Sequence, residues 1–175
     1  DYAGRVDAAF APVAGARTAL ALRDYHAENL LWLPGREGTA RVGLIDYQDA
    51  LAGHPAYDLI SLTEDARRDT SPELRAATTA RYLDAAGVPA GAREAFEAEA
   101  AMLAAQRNLK IVGIFARLRL RDGKPRYLDL IPRVWAHLQR DLAHPALAPL
   151  AAFVARHVPA PEPAVLDRLR AGRTA

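Results

Sequence analysis

Leu22-Arg23-Asp24-Tyr25-His26-Ala27-Glu28-Asn29-Leu30-Leu31, followed by Gly43-Leu44-Ile45-Asp46-Tyr47-Gln48-Asp49, is the stretch whose reading decides the fold. Leu30 to Leu33 is a compact apolar run that ends at Pro34-Gly35, and Val42 to Ile45 is a second. Two short apolar runs around a Pro/Gly loop predict a β-hairpin, here with a loop of residues 34–41. A hairpin folds its second strand back along the first. Asp46 therefore returns towards Asp24 and Asn29, and two carboxylates and an amide converge at one end of the ribbon. Hard oxygen donors of this kind suit Mg²⁺, which binds one or two carboxylates together with substrate phosphates.

Outward from this stretch the chain reads as helical. Ala19 to Leu22 is a candidate strand, and Asp7 to Ala16 reads as the end of a helix. Beyond Gly53 the signals are helix starts and stops. Pro55 suits a first turn, Ser71-Pro72-Glu73 is a start, and Gly87 with Pro89 is a stop. A long helix is expected from Ala92 to about Leu120, interrupted or bent near Gly113. Further helices are expected through Trp135 to Leu142 and from Leu147 to Val158, then a short one after Pro159–Pro163. The expected fold class is mainly α (α+β), helical with one small catalytic hairpin. Residues 1–158 are read as one lobe and 159–175 as a linker with a short helix.

Composition removes several classes of function. The 175 residues include no Cys, which excludes disulfide scaffolds, Cys-ligated zinc and thiol nucleophiles. That absence fits a reducing, cytoplasmic setting. No apolar run approaches the roughly 20 residues of a membrane span, so no membrane partner is expected. The basic residues are 21 Arg and 2 Lys against 21 acids, for a net charge of +2. That near balance argues against a nucleic-acid surface. Alanine, about a fifth of the chain, favours helix. His54, His137, His144 and His157 show no metal-ligand spacing.

The Asp24–Asn29 spacing resembles a kinase catalytic loop, Asp-x-x-x-x-Asn, and Asp46 resembles the metal-binding Asp after the next strand. Arg-Asp-Tyr-His-x-x-Asn, then Ile-Asp-Tyr-Gln-Asp-Ala, then Tyr57-Asp58-Leu59, is similar to the aminoglycoside phosphotransferase family. Within it the chain looks nearest to bacterial amino-sugar kinases of cell-wall recycling, which act on N-acetylmuramate or N-acetylglucosamine. Gln106-Arg107-Asn108-Leu109-Lys110, Gly113 to Leu118 and Arg121 to Pro125 resemble the same group.

This resemblance implies a protein-kinase-like C-terminal lobe, with ATP and Mg²⁺ as cofactors and a small-molecule alcohol as substrate. It implies Asp24 as catalytic base, and Asn29 and Asp46 as metal ligands. Leu31 is expected under the adenine and Ile45 near the phosphates. His26 and Asp58 are expected to brace the loop. Gln48, Asp49, Arg107, Asn108, Lys110 and Arg117 are possible substrate contacts, since Arg suits carboxylates.

Two departures stand out. Leu22 occupies the position where the family usually has His. The only lysines, Lys110 and Lys124, both follow Asp46, so no strand Lys is present for the α/β-phosphates. The expectation is a lobe that works with an N-terminal nucleotide lobe absent from this chain, and that binds ATP weakly alone. Competing readings are a kinase for an aminoglycoside or choline-like alcohol, and an inactive lobe that serves as a binding module.

Overall fold

The computed structural model describes residues 2–15 and 18–172. In chain order its elements are α1 (Tyr2–Phe10), β1 (Ala19–Ala21), β2 (Leu30–Trp32), β3 (Val42–Leu44), β4 (Leu51–Gly53), α2 (Ala56–Thr63), α3 (Pro72–Ala85), α4 (Ala90–Leu120), α5 (Ile131–Leu142), α6 (Ala148–His157) and α7 (Pro163–Arg170). The chain divides into two compact units, residues 15–96 and residues 1–14 with 97–175.

In the unit of residues 15–96, β2 and β3 form the expected antiparallel hairpin, with Leu30 opposite Leu44, Leu31 opposite Gly43 and Trp32 opposite Val42. The candidate strand at Ala19–Leu22 forms as β1, but its partner β4 was not legible in the sequence. β1 pairs antiparallel with β4, placing Ala19 against Gly53 and Ala21 against Leu51. Leu-Ala-Gly carries neither β-branched nor aromatic residues, so composition alone gives no strand signal there. The reason for Gly53 is steric. A Cβ at this position would lie 2.8 Å from the Ala21 methyl, which is itself buried. Gly53→Ala is expected to destabilise the fold by about 1–3 kcal/mol through overpacking, read as a lower denaturation midpoint at unchanged slope.

The helices of this unit are stopped and started by identifiable groups. Ser71 Oγ accepts from the Leu74 N–H at the start of α3, and Gly87, at φ 66°, ends it. The start of α2 uses a less common device. The Nδ1 atom of His54 accepts from the Ala56 N–H at 3.1 Å. His144 repeats it on Ala146 at 3.3 Å, in the turn that leads into α6. Both sites read His-Pro-Ala. Proline supplies the fixed φ of a first turn and lacks an N–H, so the next free donor is the alanine that the imidazole satisfies. Two histidines without metal spacing thus serve as helix caps. The unit's core gathers Ala21, Ala56, Ile60, Leu83 and Phe96, with Tyr82 stacked on Phe96 at 5.8 Å. Glu64 is buried with them and pairs with Arg75 at 2.9 Å.

In the other unit, α5 shows why its sequence is helical. Ile131, Val134, Leu138 and Leu142 recur at spacings of three and four and are buried, while Pro132, Ala136 and Gln139 are exposed. α5 packs on α6, α6 on α1, and α7 on the turn of residues 125–130. Arg170 ties α7 to that turn through Asp129 at 2.9 Å. α1 ends at Phe10, earlier than the expected Ala16, which lies outside the described residues. α4 runs without interruption through Gly113. Its start is Ala90, just after Pro89.

Candidate active site

The loop between β1 and β2 is held by α2. The Asp58 carboxylate accepts from the Leu22 N–H at 2.7 Å and from the Arg23 N–H at 3.0 Å. Ser61, one turn later, donates its hydroxyl to the Arg23 carbonyl at 3.2 Å. A helix therefore grips two consecutive peptide units immediately before Asp24. This grip holds Arg23 at φ 73°, a left-handed conformation that costs a non-glycine residue about 1–2 kcal/mol.

Beyond Asp24 the chain turns tightly. His26 N–H donates to the Asp24 carbonyl at 3.1 Å, and Asn29 N–H to the His26 carbonyl at 2.9 Å. The Asn29 side chain closes the turn. Its Nδ2 donates to the Asp24 carbonyl at 2.8 Å, lies 3.3 Å from His26 Nε2 and reaches Asp46 Oδ2 at 3.5 Å. Donation to the two Asp oxygens uses both amide hydrogens, orients the group and leaves Oδ1 as the atom available to a ligand.

Asp46 follows β3, and the Ile45 N–H bonds the Asn29 carbonyl at 3.1 Å, which fixes the register between the loop and the strand end. Asp46 is the second non-glycine residue with positive φ, at 60°. Gln48 donates to its Oδ1 at 2.6 Å. The hairpin thus brings Asp24, Asn29 and Asp46 to one end, as its topology requires. Gln48 joins them through Asp46. Asp49 is exposed, and its carbonyl receives the Arg23 guanidinium at 3.5 Å.

The donor set fits a hard divalent cation. Asn29 Oδ1 and the exposed Asp46 carboxylate are oxygen ligands, too few to enclose an ion. Among the described residues no three His, Asp or Glu side chains form a metal-binding group. Few protein oxygens beside an open face is the pattern of Mg²⁺, which keeps waters and substrate phosphates as its remaining ligands. One face of the hairpin also fits a planar base. Leu31 lies opposite Gly43, and Ile45 is two residues on, so the three share a side. Leu31 and Ile45 are 46% and 44% exposed.

Of the residues expected further along, Asn108 is completely buried, and its amide donates to Asp141 at 2.8 Å, joining α4 to α5. Arg107 is half-buried, and Lys110 and Arg117 are exposed on α4. The hydrogen bond from Gln48 to Asp46 was not legible beforehand. The two-residue spacing of a loop amide and a carboxylate is its only sequence signal.

Residues 3–96 match the model of the phosphotransferase enzyme family APH, a span that contains Asp24, Asn29, Asp46 and Asp58. The chain is 56% identical over 137 residues to a Caulobacter vibrioides protein named N-acetylmuramate/N-acetylglucosamine kinase, covering 78% of this chain and 37% of that protein. Proteins of the same name from Pseudomonas putida and Neisseria meningitidis are 37% and 39% identical, over 76% and 75% of this chain and 39% and 40% of theirs. The chain spans about two fifths of the length of these relatives. No helix among the described residues is long and apolar enough to cross a membrane. With more than half of its residues matched by the family model, the chain belongs to the APH phosphotransferase family.

Proposed function

We propose that this chain is the catalytic, C-terminal lobe of an ATP-dependent kinase that phosphorylates a hydroxyl of an amino sugar, and that it works together with a separate nucleotide-covering lobe. The observation that carries this reading is the Asn29 amide, which bonds the Asp24 backbone and reaches the Asp46 carboxylate. One side chain thereby couples the base to the metal ligands. The names of the relatives support an amino sugar as acceptor.

Phosphoryl transfer requires positioning and charge neutralisation more than covalent chemistry. Asp24 aligns the acceptor hydroxyl and takes its proton as the oxygen bonds the γ-phosphorus and the bond to the ADP oxygen breaks. Asn29 and Asp46 hold Mg²⁺, which when bound neutralises charge on the nucleotide phosphates. Leu31 and Ile45 lie against the nucleotide. His26 and Asp58 keep the loop in place, and Gln48 orients the Asp46 carboxylate.

An acceptor screen on the protein at its relatives' length tests this reading. ³¹P NMR is expected to detect phosphate esters of N-acetylmuramate and N-acetylglucosamine but not of kanamycin-type aminoglycosides. Turnover of only the aminoglycoside would replace the acceptor assignment. Asp46→Ala is expected to weaken Mg²⁺-dependent ATP binding by about a hundredfold, equivalent to roughly 3 kcal/mol, measured by titration calorimetry with and without the metal. Unchanged metal-dependent binding would remove Asp46 from the ligand set.

A further inference from the structure

Arg23 combines a strained backbone with a charge that the fold hardly uses. The Asp24 N–H bonds the Leu22 carbonyl at 2.9 Å, and the residue between them has φ 73°. A three-residue turn of this sign is the rare and strained form of the γ-turn. Glycine fills such a turn without steric penalty. The groups by which α2 holds the turn are main-chain atoms here, the Leu22 and Arg23 N–H and the Arg23 carbonyl, and glycine carries them as well as arginine does. The backbone therefore gives no reason for a long side chain at position 23. The reason lies in the guanidinium.

Within the fold that guanidinium has one weak task. Its Nη1 donates to the Asp49 carbonyl at 3.5 Å, long for a hydrogen bond, and both residues are exposed. Among the described residues it forms no ion pair. So weak a tie does not account for a strained turn, but it fixes where the charge lies. Arg23 is joined to Asp24, and Asp49 comes three residues after Asp46. The guanidinium thus spans the loop of the candidate base and the loop of the candidate metal ligand, all within the unit of residues 15–96. These loops, residues 22–29 and 45–50, carry Asp24, Glu28, Asp46 and Asp49, and Arg23 is their only Arg or Lys. Glu28 is answered by Arg67, from the loop after α2, at 3.5 Å. Asp24, Asp46 and Asp49 form no ion pair among the described residues. An anion that enters here meets an excess of negative charge, and Arg23 is the one cation of the two loops able to receive it. Its planar fork of donors matches a carboxylate bidentately.

Resting on the kinase reading above, we propose that Arg23 recognises the carboxylate of an acidic amino-sugar acceptor. Consecutive Cα atoms are about 3.8 Å apart, so a sugar whose hydroxyl meets Asp24 lies within reach of the residue before it. The cation assigned to Asn29 and Asp46 answers the nucleotide phosphates instead. Charge complementarity selects the occupant, since of the two sugars in the relatives' names one is a carboxylate and the other is neutral.

The test measures kcat/KM for N-acetylmuramate and N-acetylglucosamine, with thermal denaturation of the same samples, in the protein at its relatives' length. Arg23→Gly is expected to lower the acid-to-neutral ratio at least tenfold, chiefly through KM for the acid. Its melting temperature is expected to stay level or to rise by up to about 4 °C, because the turn is relieved. Arg23→Lys keeps the charge without the fork, and its ratio is expected to fall between those of Arg23→Gly and the original. A change of less than tenfold in Arg23→Gly overturns the proposal, and equal losses for both sugars would assign the guanidinium to the nucleotide phosphates. A melting temperature lowered by more than about 4 °C also overturns it and makes Arg23 a tie between the loops. Phosphorylation of N-acetylglucosamine alone by the unmodified protein overturns the carboxylate role and leaves the kinase reading in place. Phosphorylation of neither sugar overturns the kinase reading itself and the proposal with it.

Discussion

Asp24→Asn is expected to reduce kcat by about a thousandfold or more while leaving the melting temperature and the affinity for nucleotide unchanged. The size follows from the role. A positioned general base contributes about 10²–10⁴-fold, and an amide of the same shape accepts no proton. The selectivity follows from the structure. Asp24 holds the loop together with its backbone, which receives Asn29 Nδ2 and the His26 N–H, whereas its side chain is exposed. Exchange of carboxylate for amide leaves these bonds intact. Pre-steady-state phosphoryl transfer at saturating substrates, with thermal denaturation of the same sample, reads both halves. A variant that retains a tenth of the original rate would remove Asp24 from the role of base.

Asp58→Ala is expected to act in the opposite way, on stability first and on rate through it. Its carboxylate receives two backbone N–H groups, and hydrogen bonds to a charged partner are worth about 1.5–3 kcal/mol each. Because Arg23 is exposed, water replaces part of the loss there. A net destabilisation of about 2–4 kcal/mol is expected, a large part of the 5–15 kcal/mol of an ordinary domain. Asp58→Asn, which keeps one acceptor oxygen, is expected to fall between Asp58→Ala and the original. If neither substitution shifts the denaturation midpoint, the Leu22 and Arg23 donors are satisfied by other means.

The parts of this molecule that were legible in the sequence are those set by local pattern. The β2–β3 hairpin follows from two apolar runs around a Pro/Gly loop, and the Ser71 start and Gly87 stop of α3 follow from capping chemistry. The approach of Asp46 to Asn29 follows from hairpin topology, and Asp24 is brought close by its short separation from Asn29. The parts that were not legible are set by partners distant in sequence. β4 exists through its pairing with β1, some thirty residues earlier in the chain, and Leu-Ala-Gly has no strand propensity to announce it. Asn108 stands beside Arg107 and Lys110 in a polar run, yet Asp141, 33 residues later, draws it inside. The histidines at 54 and 144 lacked ligand spacing, and their capping role depends on the proline that follows each.

The left-handed backbones of Arg23 and Asp46 have an evolutionary reading. They flank the β2–β3 hairpin along the chain, one immediately before the candidate base Asp24 and one at the candidate metal ligand. Gly, and to a lesser degree Asn and Asp, adopt that conformation at little cost, so the strain falls on Arg23 rather than on Asp46. Arg23 therefore costs the fold stability at the residue directly before the candidate base. A backbone strained in the folded state thus adjoins the carboxylate on which the proposed chemistry depends.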